Sequence, residues 1–374
     1  MRTKVFILYT GGTIGMAKQE ANNPDSPLEP RPLDEVFKYI PGFSHNANAH
    51  YRTEDARQLA RNRTPFLELD NGNIIEFGYA SLKPVDSSDI RPKNWRKMAK
   101  AIAGVYDDYD GFVILHGTDT MAFTSSALSF MFENLAKPVV ITGSQLPLSN
   151  IHTDAIKNLL NAFYIAGYKA TDLPLIPEVA IVFAERIIRG CRARKVSTSA
   201  RAGFDSPNYP LLGTIGEHIV INTAHLLAAP TTNKKFFIRA ELETNVFYIN
   251  IFPGFRNKQM RKLFLDENIK GIVMRTYGAG NIPNKKKFLA TVRRAVDSGK
   301  LVVNISQCIN GSVEMGLYAA SSGLLECGVI SGLDMTPEAA LGKLMWILST
   351  QSGKHCNKQM QISLRGELSQ PASR

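Results

Sequence analysis

Phe112-Val113-Ile114-Leu115-His116-Gly117-Thr118-Asp119-Thr120 passes from an apolar run straight into a loop of glycine, hydroxyls and one carboxylate. A short, unbroken apolar run is what a strand covered on both faces requires, as in a parallel sheet. Residues 120–134 then read as a helix and 138–142 as the next strand, a strand–helix–strand unit. A second strand-to-loop passage lies upstream, where Lys4-Val5-Phe6-Ile7-Leu8-Tyr9 runs into Thr10-Gly11-Gly12-Thr13-Ile14-Gly15. In open parallel sheets ligands sit outside the carboxyl ends of the strands. Two neighbouring strands of this kind would bring two threonine hydroxyls and a carboxylate to one pocket. That set suits attack on a carbonyl. Phosphate binding fits less well, because Gly11, Gly12 and Gly15 miss the dinucleotide spacing and no lysine completes a P-loop.

The same rhythm extends along the chain. Strand 3–9 and helix 93–107 precede the central unit, and helix 153–167 and strand 178–184 follow it. Residues 230–245 are polar and charge-mixed and read as a linker. The alternation then restarts with strand 246–252, helix 255–265, strand 271–276, helix 284–298, strand 300–305 and helix 337–350. The expected architecture is therefore α/β with two domains. Residues 1–229 form a larger unit with a mostly parallel sheet flanked by helices, and 246–374 form a smaller α/β unit. A length of 374 residues suits two cores better than one.

Composition narrows the class. The 44% hydrophobic and 21% charged content is ordinary for a globular protein, and every apolar run is strand-sized, so no membrane span is expected. Met1-Arg2-Thr3-Lys4 leads into a strand without a signal-peptide pattern, which points to the cytoplasm. Cys191, Cys308, Cys327 and Cys356 are scattered, without a C-x-x-C pair or metal spacing, and read as reduced thiols. The net charge of +11 is spread over the whole chain without interleaved aromatics. A solvated basic surface accounts for it, and no nucleic-acid partner is expected.

Local sequence leaves each candidate site residue with two readings. Gly11-Gly12 permits a sharp turn that would present Thr13 to a ligand, and Thr13 could equally cap a helix. A threonine hydroxyl needs an activating neighbour. Asp119 could act through Thr118. Lys195 could accept the proton, because Arg186, Arg189, Arg192, Arg194 and Arg201 surround it in sequence and no acid lies between 186 and 204. The same run also reads as exposed basic surface. Asp86-Ser87-Ser88-Asp89 could bind a carboxylate or cap the helix that follows.

Taken together, the motifs resemble the L-asparaginase family, in its cytoplasmic type I branch. They are TGGTIGM (10–16), DSSDI (86–90), DGFVILHGTDTMAFTSSALSFMFENL (110–135), ITGSQLPL (141–148), SPN (206–208), YGAGN (277–281), Gln307-Cys308 and LRGEL (364–368), in family order from end to end. The resemblance implies hydrolysis of the side-chain amide of L-asparagine without metal or organic cofactor. Thr13 matches the nucleophile, and Thr118, Asp119 and Lys195 match the proton relay. Ser87 and Ser88 match the residues that hold the substrate α-carboxylate, Asp119 also takes its α-ammonium, and Ser144 matches the position whose backbone meets the amide. Residues 14–38 hold no tyrosine, a departure from some family members, and Tyr318 matches a tyrosine that related type I enzymes use instead. The resemblance further implies a homodimer or homotetramer, with Asn281 reaching a neighbour's site, and an allosteric asparagine site built on Arg275, Asn281 and Cys308. Arg194 stands where the allosteric relative has a small hydroxyl residue. Two alternatives carry other functions. One is the asparaginase-like subunit of a transfer-RNA amidotransferase, which normally has an extra N-terminal domain. The other is a dead amino-acid sensor, which would have lost one of Thr13, Thr118, Asp119 or Lys195.

Overall fold

Residues 2–9 form a strand because Val5, Phe6, Ile7, Leu8 and Tyr9 are all fully buried, so both faces of the strand are covered. The computed structural model describes residues 1–18, 26, 28–31, 65–231, 233–283, 285–316, 319–350 and 354–370. The chain divides into two compact units, Met1–Ser206 with Pro210–Ala240, and Pro207–Tyr209 with Glu241–Arg374.

The first unit is built on a nine-stranded sheet. In chain order its strands are β1 (Arg2–Tyr9), β2 (Phe66–Glu68), β3 (Ile74–Ser81), β4 (Gly111–Leu115), β5 (Val139–Thr142), β6 (Val179–Phe183), β7 (Arg186–Arg189), β8 (Gly213–Ile215) and β9 (Ile219–Ile221). Their spatial order is β9-β8-β7-β6-β5-β4-β1-β3-β2. The five central strands, from β3 to β6, run parallel. The margins are antiparallel, with β2 on one side and the β6–β9 meander on the other. The sheet is thus mixed, with its parallel part confined to the centre. The β6–β7 reversal uses Ala184 and Glu185 at positive φ (45° and 68°), a tight turn without the usual glycine or asparagine and so without a sequence signal.

Among the described residues, three helices of more than ten residues dress the sheet. Helix α1 (Pro92–Gly104) buries Trp95, Met98, Ala99 and Ile102, the i, i+3, i+4, i+7 stripe of an amphipathic helix. Helix α2 (Met121–Met131) is buried on nearly every face. It stops short of the expected residue 134 because Phe132–Glu133 straightens and pairs with Phe237–Ile238. The stretch expected as a linker therefore contributes a strand to the first unit, and Phe236 stacks on Tyr106 with centroids 3.7 Å apart. Helix α3 (Ala155–Ala166) buries Ala155, Asn158, Leu159 and Ala162.

β1 is flanked by β3 on one side and by β4 on the other, so the direction of winding reverses there. In an open sheet this is where ligands bind, outside the carboxyl ends. The register places Tyr9 beside both Ser81 and Leu115, which brings the three following loops out side by side.

The second unit holds a four-stranded parallel sheet in sequence order: β10 (Val246–Asn250), β11 (Gly271–Thr276), β12 (Leu301–Ser306) and β13 (Ile330–Ser331). Helices α4 (Asn257–Phe264) and α5 (Lys286–Asp297) form its core with the sheet through Phe255, Met260, Phe264, Phe288 and Val292. Helix α6 (Pro337–Thr350) starts on Pro337, whose missing N–H costs nothing in a first turn.

Candidate active site

The loop after β1 is bound to its neighbours along its length. Thr10 donates from N and Oγ1 to the Leu115 carbonyl (3.1 and 2.8 Å), and Val85 N–H donates to the Thr10 carbonyl (3.1 Å). Gly11 and Gly12 stand at φ 107° and 92°, which disfavours any side chain. Space forbids one as well. A Cβ on Gly12 would lie 2.3 Å from Gly117 N, and one on Gly117 would lie 2.6 Å from Ser87 Oγ. The glycines therefore let the three loops touch backbone to backbone. Thr13 opens a short 3-10 turn, Thr13–Gly15, and is partly exposed, and no hydrogen bond engages its hydroxyl among the described residues. Tyr9 lies under this turn and donates to the Gly15 carbonyl at 3.4 Å, and burial raises its phenol above the usual range.

Lys195 completes the first-unit site. It lies in the short strand Arg194–Lys195, paired with Phe204–Asp205. Its Nζ donates to Thr118 Oγ1 at 2.8 Å and to Asp119 Oδ1 at 2.7 Å. Thr118 is buried, the Lys195 side chain is 18% exposed, and that of Asp119 is 63% exposed. The geometry thus brings Lys195 to two adjacent residues that precede it by 77 and 76 positions. The expectation that basic neighbours surround Lys195 needs correction. Arg186 pairs with Asp205, Arg189 with Glu178 and Lys195 with Asp119, so acids from elsewhere in the chain face this run.

The two serines part company. Ser87 is buried against Gly117, and its carbonyl accepts from Thr120 Oγ1 at 2.7 Å. Ser88 is exposed and turns to Asp86, whose Oδ1 accepts both its N–H (2.8 Å) and its hydroxyl (2.6 Å). Those bonds hold the Asp86 carboxyl below its ordinary range. Ser88 therefore spends its hydroxyl on the cap of its own turn. Ser144 follows β5, fully buried, with no partner for its Oγ among the described residues.

Sequence reading missed the supports. Asn158 on α3 donates to the Gly143 carbonyl (3.0 Å) and accepts from Ala184 N–H (3.0 Å), tying the ends of β5 and β6. Asp154 accepts the N–H groups of Gln145 and Leu146. A polar residue inside the apolar stripe of α3 was the available signal for Asn158.

In the second unit, Arg275 donates to the carbonyls of Ser306 (3.2 Å) and Gln307 (2.7 Å), so backbone already occupies two of its donor groups. Tyr277 and Asn281 pair through their backbones, and Tyr277 OH and Asn281 Oδ1 are buried without partners among the described residues. Cys308 is exposed. Tyr318 lies outside the described residues. Among the described residues no helix is long and apolar enough to cross a membrane, and no group of three His, Cys, Asp or Glu side chains could hold a metal.

A parallel sheet edge that carries glycine turns, free hydroxyls and a lysine–threonine–carboxylate cluster belongs to a recognisable class. The family models for the N-terminal asparaginase domain and the glutaminase/asparaginase C-terminal domain match residues 4–227 and 245–360. The chain belongs to the asparaginase family. It is 39% identical to L-asparaginase 1 of Escherichia coli (strain K12) over 98% of both chains. It is 37% identical to the 60 kDa lysophospholipase of Mus musculus over 99% of this chain and 63% of that one. The crystal structure of L-asparaginase I from Vibrio cholerae superposes with a TM-score of 0.80 at 37% identity, covering 99% of this chain and all of that one.

Proposed function

We propose that the protein hydrolyses the side-chain amide of L-asparagine to L-aspartate and ammonia, with Thr13 as nucleophile. The observation that carries this reading is the Lys195 ammonium, bonded at once to Thr118 Oγ1 and Asp119 Oδ1 beside the loop that presents an unbonded Thr13 hydroxyl.

The substrate's α-ammonium binds Asp119 and competes with Lys195 for the carboxylate, which frees the lysine to exchange a proton with Thr118. The Ser87 turn takes the α-carboxylate. Once Lys195 has released a proton to solvent, its neutral amine takes the Thr118 hydroxyl proton as Thr118 Oγ1 takes that of Thr13, and Thr13 Oγ1 bonds to the amide carbon. Backbone N–H groups at the glycine turns stabilise the oxyanion, each such donor contributing roughly 3–4 kcal/mol. The C–N bond then breaks as the relay returns its proton, and ammonia leaves. Water attacks the resulting ester, the bond to Thr13 Oγ1 breaks, and aspartate departs with Thr13 reprotonated.

Ammonia release from asparagine and glutamine, for wild type and Thr13→Ala without any RNA or partner, tests the reading. Asparagine turnover that vanishes in Thr13→Ala supports it. Turnover that needs transfer RNA would favour an amidotransferase subunit, and none at all a sensor. We further propose a homo-oligomer that is cooperative in asparagine, through the Arg275, Asn281 and Cys308 cluster. A sigmoidal rate curve made hyperbolic by Arg275→Ala supports cooperativity, and a hyperbolic wild-type curve overturns it.

A further inference from the structure

His116 precedes the site loop and does no chemistry in the reaction as derived, yet it is among the most enclosed polar residues of the first unit, with no exposed surface. Both ring nitrogens are engaged. Nδ1 lies 2.6 Å from the Gly117 carbonyl, and Nε2 lies 2.9 Å from Thr124 Oγ1 on α2. Thr124 Oγ1 in turn accepts from Trp95 Nε1 on α1, at 2.8 Å.

This chain of bonds has one consistent proton arrangement. An indole N–H can only donate, and a carbonyl can only accept. With a hydrogen on the Nδ1 that faces the Gly117 carbonyl, Nε2 of the neutral ring is bare and accepts from Thr124 Oγ1, which accepts in turn from the indole N–H. The imidazole is neutral, as burial also requires, since burial pushes it down to about 4.

We propose that His116 is a positioning residue for the reaction: a neutral Nδ1–H imidazole, its tautomer set by the Gly117 carbonyl and its Nε2 side held by Thr124 and Trp95, that fixes the orientation of the Gly117–Thr118 peptide. The Gly117 carbonyl and the Thr118 N–H belong to one planar trans unit and point in opposite directions. Holding the carbonyl towards the ring turns the Thr118 N–H away from it. No hydrogen bond engages that N–H among the described residues, so it is left to a ligand. Gly117 itself abuts Gly12 and Ser87, so a shift of this residue would disturb all three loops. A helix-packing network of Trp95 and Thr124 thereby sets the aim of the loop that holds Thr118 and Asp119. The inference rests on the proposed roles of those two residues.

The test is Thr124→Val, which removes the hydroxyl and keeps the shape, against Thr124→Ser, which keeps the hydroxyl. Loss of a buried, orienting hydrogen bond should lower kcat about tenfold, with KM within about twofold. Thr124→Ser should recover most of the loss. The imidazole 15N shifts of the wild type should show a single neutral Nδ1–H tautomer down to pH 5, and this readout decides the matter even if Thr124→Val does not fold. An Nε2–H tautomer, or a Thr124→Val enzyme with unchanged kcat and only a lowered melting temperature, overturns the proposal. A Thr13→Ala control separates the two layers. If Thr13→Ala is inactive while Thr124→Val keeps its kcat, only the positioning role fails. If Thr13→Ala turns over normally, the catalytic reading fails with it.

Discussion

Replacing Lys195 with methionine should separate catalysis from stability, because the proposed relay gives it a large share of one and its exposed partner a small share of the other. The Lys195–Asp119 pair has its acid 63% exposed, so water and salt screen it and its loss should lower stability by no more than about 1 kcal/mol. Methionine keeps the length of the stem, and the side chain is only 18% exposed, so packing is largely preserved. Catalysis should respond differently. Thr118 Oγ1 sits 2.8 Å from Nζ and has no other polar side-chain contact among the described residues, so the proposed relay ends without the amine. A positioned acid–base group contributes roughly 10²–10⁴ in rate, which is about 3–5 kcal/mol of barrier. Ammonia release under saturating asparagine reads kcat, and differential scanning fluorimetry on the same sample reads stability. The expected result is a fall in kcat of at least about a hundredfold with a melting shift of a few degrees. A Lys195→Met enzyme within about tenfold of wild-type kcat would refute the relay, because the amine would then be dispensable.

Gly12→Ala and Gly117→Ala should each abolish turnover while the protein still folds, since their Cβ atoms would lie 2.3 Å from Gly117 N and 2.6 Å from Ser87 Oγ, and circular dichroism with an activity assay checks both. Lys343→Met should destabilise by about 3–5 kcal/mol, because it strands the fully buried Glu367 that Lys343 pairs with at 2.5 Å, and Glu367→Gln added to it should recover part of the loss in chemical denaturation. Stability should also depend on pH through His116. Its folded value of about 4 lies below the ordinary 6.5, so between those limits the unfolded chain binds the extra proton and stability falls as pH falls, by up to about 1.4 kcal/mol per unit. A His116→Gln variant should flatten that slope, which melting curves at pH 4.5 to 7 measure.

The parts of the fold legible in sequence were those governed by local burial. Phe112–Leu115 and Val139–Ile141 read as strands because both faces are covered, and α1 read as a helix because Trp95, Met98, Ala99 and Ile102 keep the helical period. β3 was missed because Ile74–Ser81 mixes Glu76, Gly78 and Ser81 into its apolar pattern. The antiparallel margin was missed because its turn at Ala184–Glu185 carries no turn residue, β7 begins and ends on arginine, and β8 and β9 are only three residues long. The site divided along similar lines. Glycine turns and hydroxyls announced the β1 and β4 loops, whereas the local sequence around Lys195 shows only basic neighbours because its partner Asp119 lies 76 residues away. The His116–Thr124–Trp95 chain was invisible because it joins two helices to a strand end, and each residue alone reads as core.

The central claim is that Thr13 forms a covalent bond to the substrate, and its most direct test is acid quenching of the enzyme during turnover of asparagine, followed by peptide mass spectrometry. One β-aspartyl group esterified to the peptide that carries Thr13, absent from Thr13→Ala, is the predicted result. An active enzyme that never carries the group, or carries it on Thr118 or another side chain, would contradict the account.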